Sequence, residues 1–145
     1  MRKQLLTILL LFNSLVIFAG KDLPAFGKIE KSDLELKECE FDKDAEAYNL
    51  ISYGDVHYAI LGEDFNIITE RRMRVKILKE KGLEQANVKI KFYSKSNYEN
   101  INGVSGLTYN LDNSGNVVIT KLEKSSIYTK KIDNQYSEVS FSLPN

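Results

Sequence analysis

The chain has 145 residues, with 20 basic and 20 acidic side chains, one cysteine and one histidine. That length suits one domain, and the charge balance gives no support for nucleic-acid binding. A single cysteine excludes an internal disulfide, and one cysteine with one histidine excludes a soft-metal cluster.

The first twenty residues read as a signal peptide. Arg2 and Lys3 form a basic start, and Leu5 to Phe18 is apolar apart from Thr7, Asn13 and Ser14. Ala19 and Gly20 supply small residues for cleavage, although Ile17 suits a cut at Ala19 poorly. The alternative is an uncleaved anchor, for which the apolar run is short against the roughly twenty residues of a span. Cys39 lies too far downstream to serve as a lipoprotein cysteine. The expectation is an exported protein, periplasmic or extracellular, with no membrane span after cleavage. Its mature domain covers residues 21–145, with 18 basic and 20 acidic residues and a net charge of −2. A chain of this size can bury one core without staples.

Lys21 to Lys28 carries Pro24 and Gly27 and reads as an extended leading segment. Ser32 and Glu35, three apart, resemble a capping start for a short helix over Ser32 to Lys37. Cys39 reads as a small buried apolar residue rather than a reactive thiol. Phe41 to Glu46 is an acidic loop; Asp42, Asp44 and Glu46 have a calcium-like spacing but lack that motif's glycine and later acidic ligand. Ala47 to Ser52 and Val56 to Leu61 read as two strands separated by a Tyr53-Gly54-Asp55 turn. His57 lies in the second of these as a structural or surface histidine, and nothing in its spacing joins it to Cys39 for nucleophilic catalysis.

The strongest signal is Phe65 to Gly82. Phe65, Ile67, Thr69, Arg71, Met73, Val75 and Ile77 alternate with Asn66, Ile68, Glu70, Arg72, Arg74, Lys76 and Leu78. The first set is apolar apart from Thr69 and Arg71, and the second is mostly charged. Period two predicts a strand with one buried and one wet face, against a helix propensity that points the other way. About twelve residues at roughly 3.3 Å each make a strand of about 40 Å. The register predicts Met73, Val75 and Ile77 buried and Arg72, Arg74 and Lys76 in solvent. On that reading Val75→Asp unfolds the domain and Arg74→Asp costs no more than about 1 kcal/mol. Arg71, on the apolar side, marks an uncovered part of that face or an ion pair at a contact. Lys79 to Gly82 reads as the closing turn.

Leu83 to Ala86 is a short irregular or helical piece. Val88, Ile90 and Phe92 predict another half-buried strand, and Ser94 to Gly103 an Asn-rich loop. Leu107 to Leu111 and Val117 to Ile119 flank Asp112-Asn113-Ser114-Gly115, a hairpin with Gly115 left-handed. Val139, Phe141 and Leu143 form the last alternating run. The fold class is therefore all-β and mostly antiparallel, a sandwich or open barrel with little helix. The chain stops at Pro144-Asn145 directly after an apolar strand, which reads as a fragment of a longer protein. Tyr93 and Tyr98 beside the amides of Asn97 to Asn102 are the residues suited to a sugar ligand, although half-buried strand tyrosines are their ordinary use. There is no glycine-rich phosphate loop and no nucleophile elbow. No catalytic, cofactor-binding or metal residue is assigned.

Phe26-Gly27-Lys28-Ile29, then Lys43 to Ala47, Arg72 to Gly82, Thr108 to Leu111 and Phe141 to Asn145 follow one another in a familiar order. In that order they resemble a domain of unknown function that precedes transglutaminase-like domains in secreted bacterial proteins, many from Bacteroidetes. The resemblance covers nearly all of the mature chain and implies a β-sandwich. It implies that further strands and a cysteine–histidine–aspartate catalytic domain follow Asn145. No residue of that catalytic domain is present, so none is carried over. Two functions follow as expectations. One is a non-catalytic exported scaffold or partner module for a downstream transglutaminase-like or peptidase-like domain. The other is a sandwich that binds carbohydrate or cell wall.

Overall fold

The computed structural model describes residues 23–144, so the signal-peptide reading lies outside the described residues. The fold is all-β and antiparallel throughout, with no closed barrel. A short helix α1 (Lys31–Glu35) is followed by β1 (Ala47–Leu61) and β2 (Asp64–Ile77). Then come β3 (Asn87–Tyr93), β4 (Leu107–Leu111), β5 (Val117–Lys121), β6 (Tyr128–Lys131) and β7 (Tyr136–Ser142). They form three sheets: β1–β2, β3–β7–β6 and β4–β5.

The long strand exists, and its partner is longer than the alternation suggests. Tyr53-Gly54-Asp55 is not a turn; β1 runs unbroken through it, with Gly54 opposite Arg71. Hydrogen bonding along fourteen residues of β2 outweighs the local turn preference of Gly54 and Asp55. The ribbon's one irregularity is a bulge at Leu50, where the register shifts between Asn49 and Ile51. Its tip is the two-residue turn Gly62-Glu63. Gly62 sits at φ 69°, the positive value a II′ turn needs at its first central position. Beyond Ile77 the chain enters a 3₁₀ segment, Glu80–Ala86, rather than a simple turn at Lys79 to Gly82. The capping box is also absent. Glu30 occupies the N-cap without a side-chain cap, and the Ser32 hydroxyl turns to the Glu30 carboxylate at 3.4 Å.

At the base of β2 the face expected in solvent is covered. Arg74 Nη1 donates to Asp33 Oδ2 at 2.8 Å, and Nη2 donates to the Lys28 carbonyl. Lys76 Nζ donates to the Leu34 carbonyl at 2.6 Å, and burial lowers the pKa of its amine. The Arg72 guanidinium lies 5.8 Å over the Phe26 ring. Residues 26–36 thus cover the charged face, using backbone carbonyls and one carboxylate as acceptors. Met73, expected in the core, is 58 % exposed, while Val75 and Ile77 are half-buried. The same leading segment reaches the third sheet, where Tyr109 Oη donates to the Gly27 carbonyl at 2.8 Å.

In the second sheet β7 is central. Val139 pairs with Ile90 on one side and Thr129 on the other, and is 4 % exposed. Strand β6 has no clear alternation, since Tyr128-Thr129-Lys130-Lys131 is exposed throughout; pairing to β7 defines it. Cys39 is buried at 2 % exposure, in keeping with a small apolar residue. Among the described residues only Cys39, Gly82, Ser137 and Val139 are buried. Two- and three-stranded sheets leave too much surface on their rims for a thicker core.

The β4–β5 hairpin turns as expected, with Gly115 at φ 78°. Asp112 Oδ1 accepts from the Asn116 and Ser114 amides at 2.8 Å each, and Oδ2 accepts from Asn116 Nδ2 at 3.1 Å. The Asn116 amide, then its side chain, hold the Asp112 carboxyl below the usual carboxylate range. A depressed folded-state pKa contributes stability above the unfolded value that is lost as pH falls through the folded one. Acid titration below the usual carboxylate range is therefore expected to shift the Ser114 and Asn116 amide resonances together. At neutral pH Asp112→Ala is expected to remove the same amide protection. Resonances that ignore both changes would show that the carboxylate does not order this turn.

Candidate functional site

The β1–β2 ribbon carries the largest uncovered feature. On one face its rungs run from the tip as Ile60/Phe65, Tyr58/Ile67, Val56/Thr69, Gly54/Arg71 and Ser52/Met73. Tyr58 and Phe65 are each 79 % exposed, and Val56, Ile60 and Ile67 are each about two-thirds exposed. Six apolar residues including Met73 therefore lie together in solvent. Their exposed area is on the order of 800 Å², above the roughly 300–600 Å² of the largest patch on a typical monomer. Strand pairing places them there, because successive residues of each strand alternate between the two faces. Arg71 sits at the basal end of this face, and among the described residues no carboxylate lies within ion-pair distance of it. Arg71 thus lies on a face left uncovered among the described residues.

The tyrosine cluster is a second surface. Tyr93 and Tyr98 meet edge to face with centroids 5.9 Å apart. Tyr136, paired with Tyr93 across β3 and β7, adds a second edge contact at 5.5 Å, and Lys91 Nζ lies 4.1 Å over its ring. Tyr136 is a member that the sequence reading misses; it lies on the face of β7 opposite Val139 and meets Tyr93 only through strand pairing. Glu99 fixes the loop by accepting from the Tyr93 amide at 2.6 Å and donating its own amide to the Tyr93 carbonyl at 3.0 Å. Ser96 and Asn97 both take left-handed backbone, at φ 56° each, an uncommon conformation for such residues. The Asn97 carbonyl accepts from Asn100 Nδ2 at 3.4 Å, so part of the amide set is engaged within the loop. Tyr98 is the ring left open, at 80 % exposure.

The remaining candidates stay apart. His57 Nδ1 is 2.7 Å from Asp55 Oδ2 on the exposed ribbon face opposite the apolar patch, far along the strand from its base. Asp42 and Asp44 are exposed; Asp42 Oδ1 accepts from the Asp44 amide, and the Glu46 carbonyl accepts from the Leu78 and Lys79 amides. A groove of about 180 Å³ lies between Glu46, Asn49, Val75, Gly82 and Gln85, smaller than the roughly 300–1,000 Å³ of ordinary ligand pockets. Among the described residues no helix is long and apolar enough to cross a membrane. Comparison of the chain with family models, curated proteins and solved structures finds no significant match.

Proposed function

We propose that the chain is a non-catalytic exported β-module that acts as a scaffold or partner for a transglutaminase-like or peptidase-like domain following it in the same polypeptide. The observation that carries this reading is the uncovered apolar ribbon face, a surface of the size and composition that protein contacts use. The downstream domain is carried by chain continuity, and the ribbon is where the module meets another protein surface. The test is to sequence the locus past Asn145 and, where a cysteine–histidine domain follows, to melt that domain alone and joined to residues 21–145. Continuation into such a domain, with a higher Tm when joined, is expected. A stop codon directly after Asn145, or identical melting, overturns the partner role.

A second reading is carbohydrate or cell-wall binding, favoured by the open Tyr98 ring beside the left-handed Ser96-Asn97 pair. Base-free stacking on one ring is worth on the order of 1 kcal/mol, so binding should be weak and should fall several-fold in Tyr98→Ala. A folded sample that retains no glycan or peptidoglycan fragment in a pull-down would remove this reading.

A further inference from the structure

We infer that the uncovered face of the β1–β2 ribbon is the seat of a second copy of this chain, packed face to face and antiparallel about a two-fold axis through the Val56/Thr69 rung. This rests on reading that face as an interface, and it names the first occupant. Three observations point to it. The exposed apolar area is on the order of 800 Å², which is what one partner contributes to a standard-size interface. The face is also graded. Its tip rungs carry bulky pairs, Ile60/Phe65 and Tyr58/Ile67, while its basal rungs carry small residues on β1, Gly54 and Ser52, with long flexible Arg71 and Met73 opposite. A Cβ at Gly54 would meet only the Glu70 carbonyl oxygen at 3.9 Å, so packing within the chain does not require a glycine there. The notch it leaves opens on the same side as the bulky tip residues.

Antiparallel stacking sets Tyr58/Ile67 of one copy over Gly54/Arg71 of the other, and Ile60/Phe65 over Ser52/Met73. With β1 over β1, Tyr58 fills the Gly54 notch of the other copy at both ends, and the Arg71 guanidinium beside that notch reaches the Tyr58 ring diagonally, a favourable cation–aromatic contact. Parallel stacking about a two-fold axis along the strands would instead set Tyr58 on Ile67 and Ile60 on Phe65, bulk on bulk at the tip, with the basal rungs held apart. Shape thus selects the antiparallel arrangement, and such a two-fold interface is self-complementary.

The experiment is sedimentation velocity on the full chain, as its host processes it, over a concentration series, with circular dichroism as a control for folding. Wild type is expected to be dimeric. Tyr58→Arg sets a second cation beside Arg71 of the second copy and is expected to weaken the dimer at least about tenfold, as loss of a central aromatic anchor does. Adding Arg71→Glu to Tyr58→Arg is expected to restore it. Leu61→Asp, exposed on the opposite face, is expected to leave it intact. A monomer at about 100 µM overturns the inference, because an interface of this size ordinarily gives micromolar or tighter binding; the scaffold role is decided separately by the locus and the joined melt. A dimer that survives Tyr58→Arg, or that the second substitution fails to restore, overturns the antiparallel face-to-face geometry and with it the inference.

Discussion

Gly82→Val is expected to cost about 3 kcal/mol or more, enough to unfold much of the chain at 37 °C. Gly82 is buried, and a Cβ there would overlap the Glu46 carbonyl oxygen and lie 2.8 Å from its carbon. That carbonyl already accepts from the Leu78 amide at 2.9 Å and the Lys79 amide at 3.0 Å, which close the base of the ribbon. The obstacle is backbone held by two hydrogen bonds, so it cannot move aside without opening the ribbon. Gly106→Ala supplies the contrast. Its Cβ would overlap Leu143 Cδ2, the far end of a flexible side chain, and would lie 3.4 Å from Leu122 Cβ. A loss of about 1 kcal/mol is expected there, as Leu143 changes rotamer. Thermal melts of the two variants compare them directly, and equal losses would show that the Glu46 carbonyl yields.

Arg74→Asp is expected to cost about 3 kcal/mol, the opposite of what alternation alone predicts. The Arg74 side chain is 19 % exposed and its Asp33 partner 25 %. Substitution removes the donor to the Lys28 carbonyl and sets two partly buried carboxylates against each other. Pairing it with Asp33→Arg should recover part of the loss. Met73→Asp, on the bare face, should cost under about 1 kcal/mol when measured below the concentration of self-association. Denaturant titrations of the three proteins give the comparison. A tolerant Arg74→Asp would mean that residues 26–36 do not hold the charged face.

These two positions show what could be read in the chain and what could not. Alternation from Phe65 to Leu78 is a property of neighbours, so the strand, its length and the partition of residues between faces are legible. Which face is covered depends on residues about forty positions away. Phe26, Asp33 and the carbonyls of Lys28 and Leu34 cover the charged side, and a carbonyl has no sequence signature. Hydrophobicity therefore points to the wrong side at Met73. Gly54 misleads similarly, because a glycine in a paired strand and a glycine in a turn look alike locally. Gly115 is legible because Asp112 and Ser114 beside it specify one turn chemistry. In the tyrosine cluster Tyr93 and Tyr98 are near in sequence, whereas Tyr136 joins them only through β7 pairing.

The leading segment that clasps the charged face also sets the order in which the protein can mature. Residues 26–36 are made early, yet Asp33 must wait 41 residues for Arg74, and Gly27 must wait 82 for Tyr109. At ordinary synthesis rates the longer wait is roughly four to sixteen seconds. Once β2 is complete at Ile77 the ribbon can pair by local contacts while its clasp is still unfastened at one end. Nascent chains therefore pass through an interval in which both ribbon faces are open to chaperones, and that interval closes only when β4 is complete.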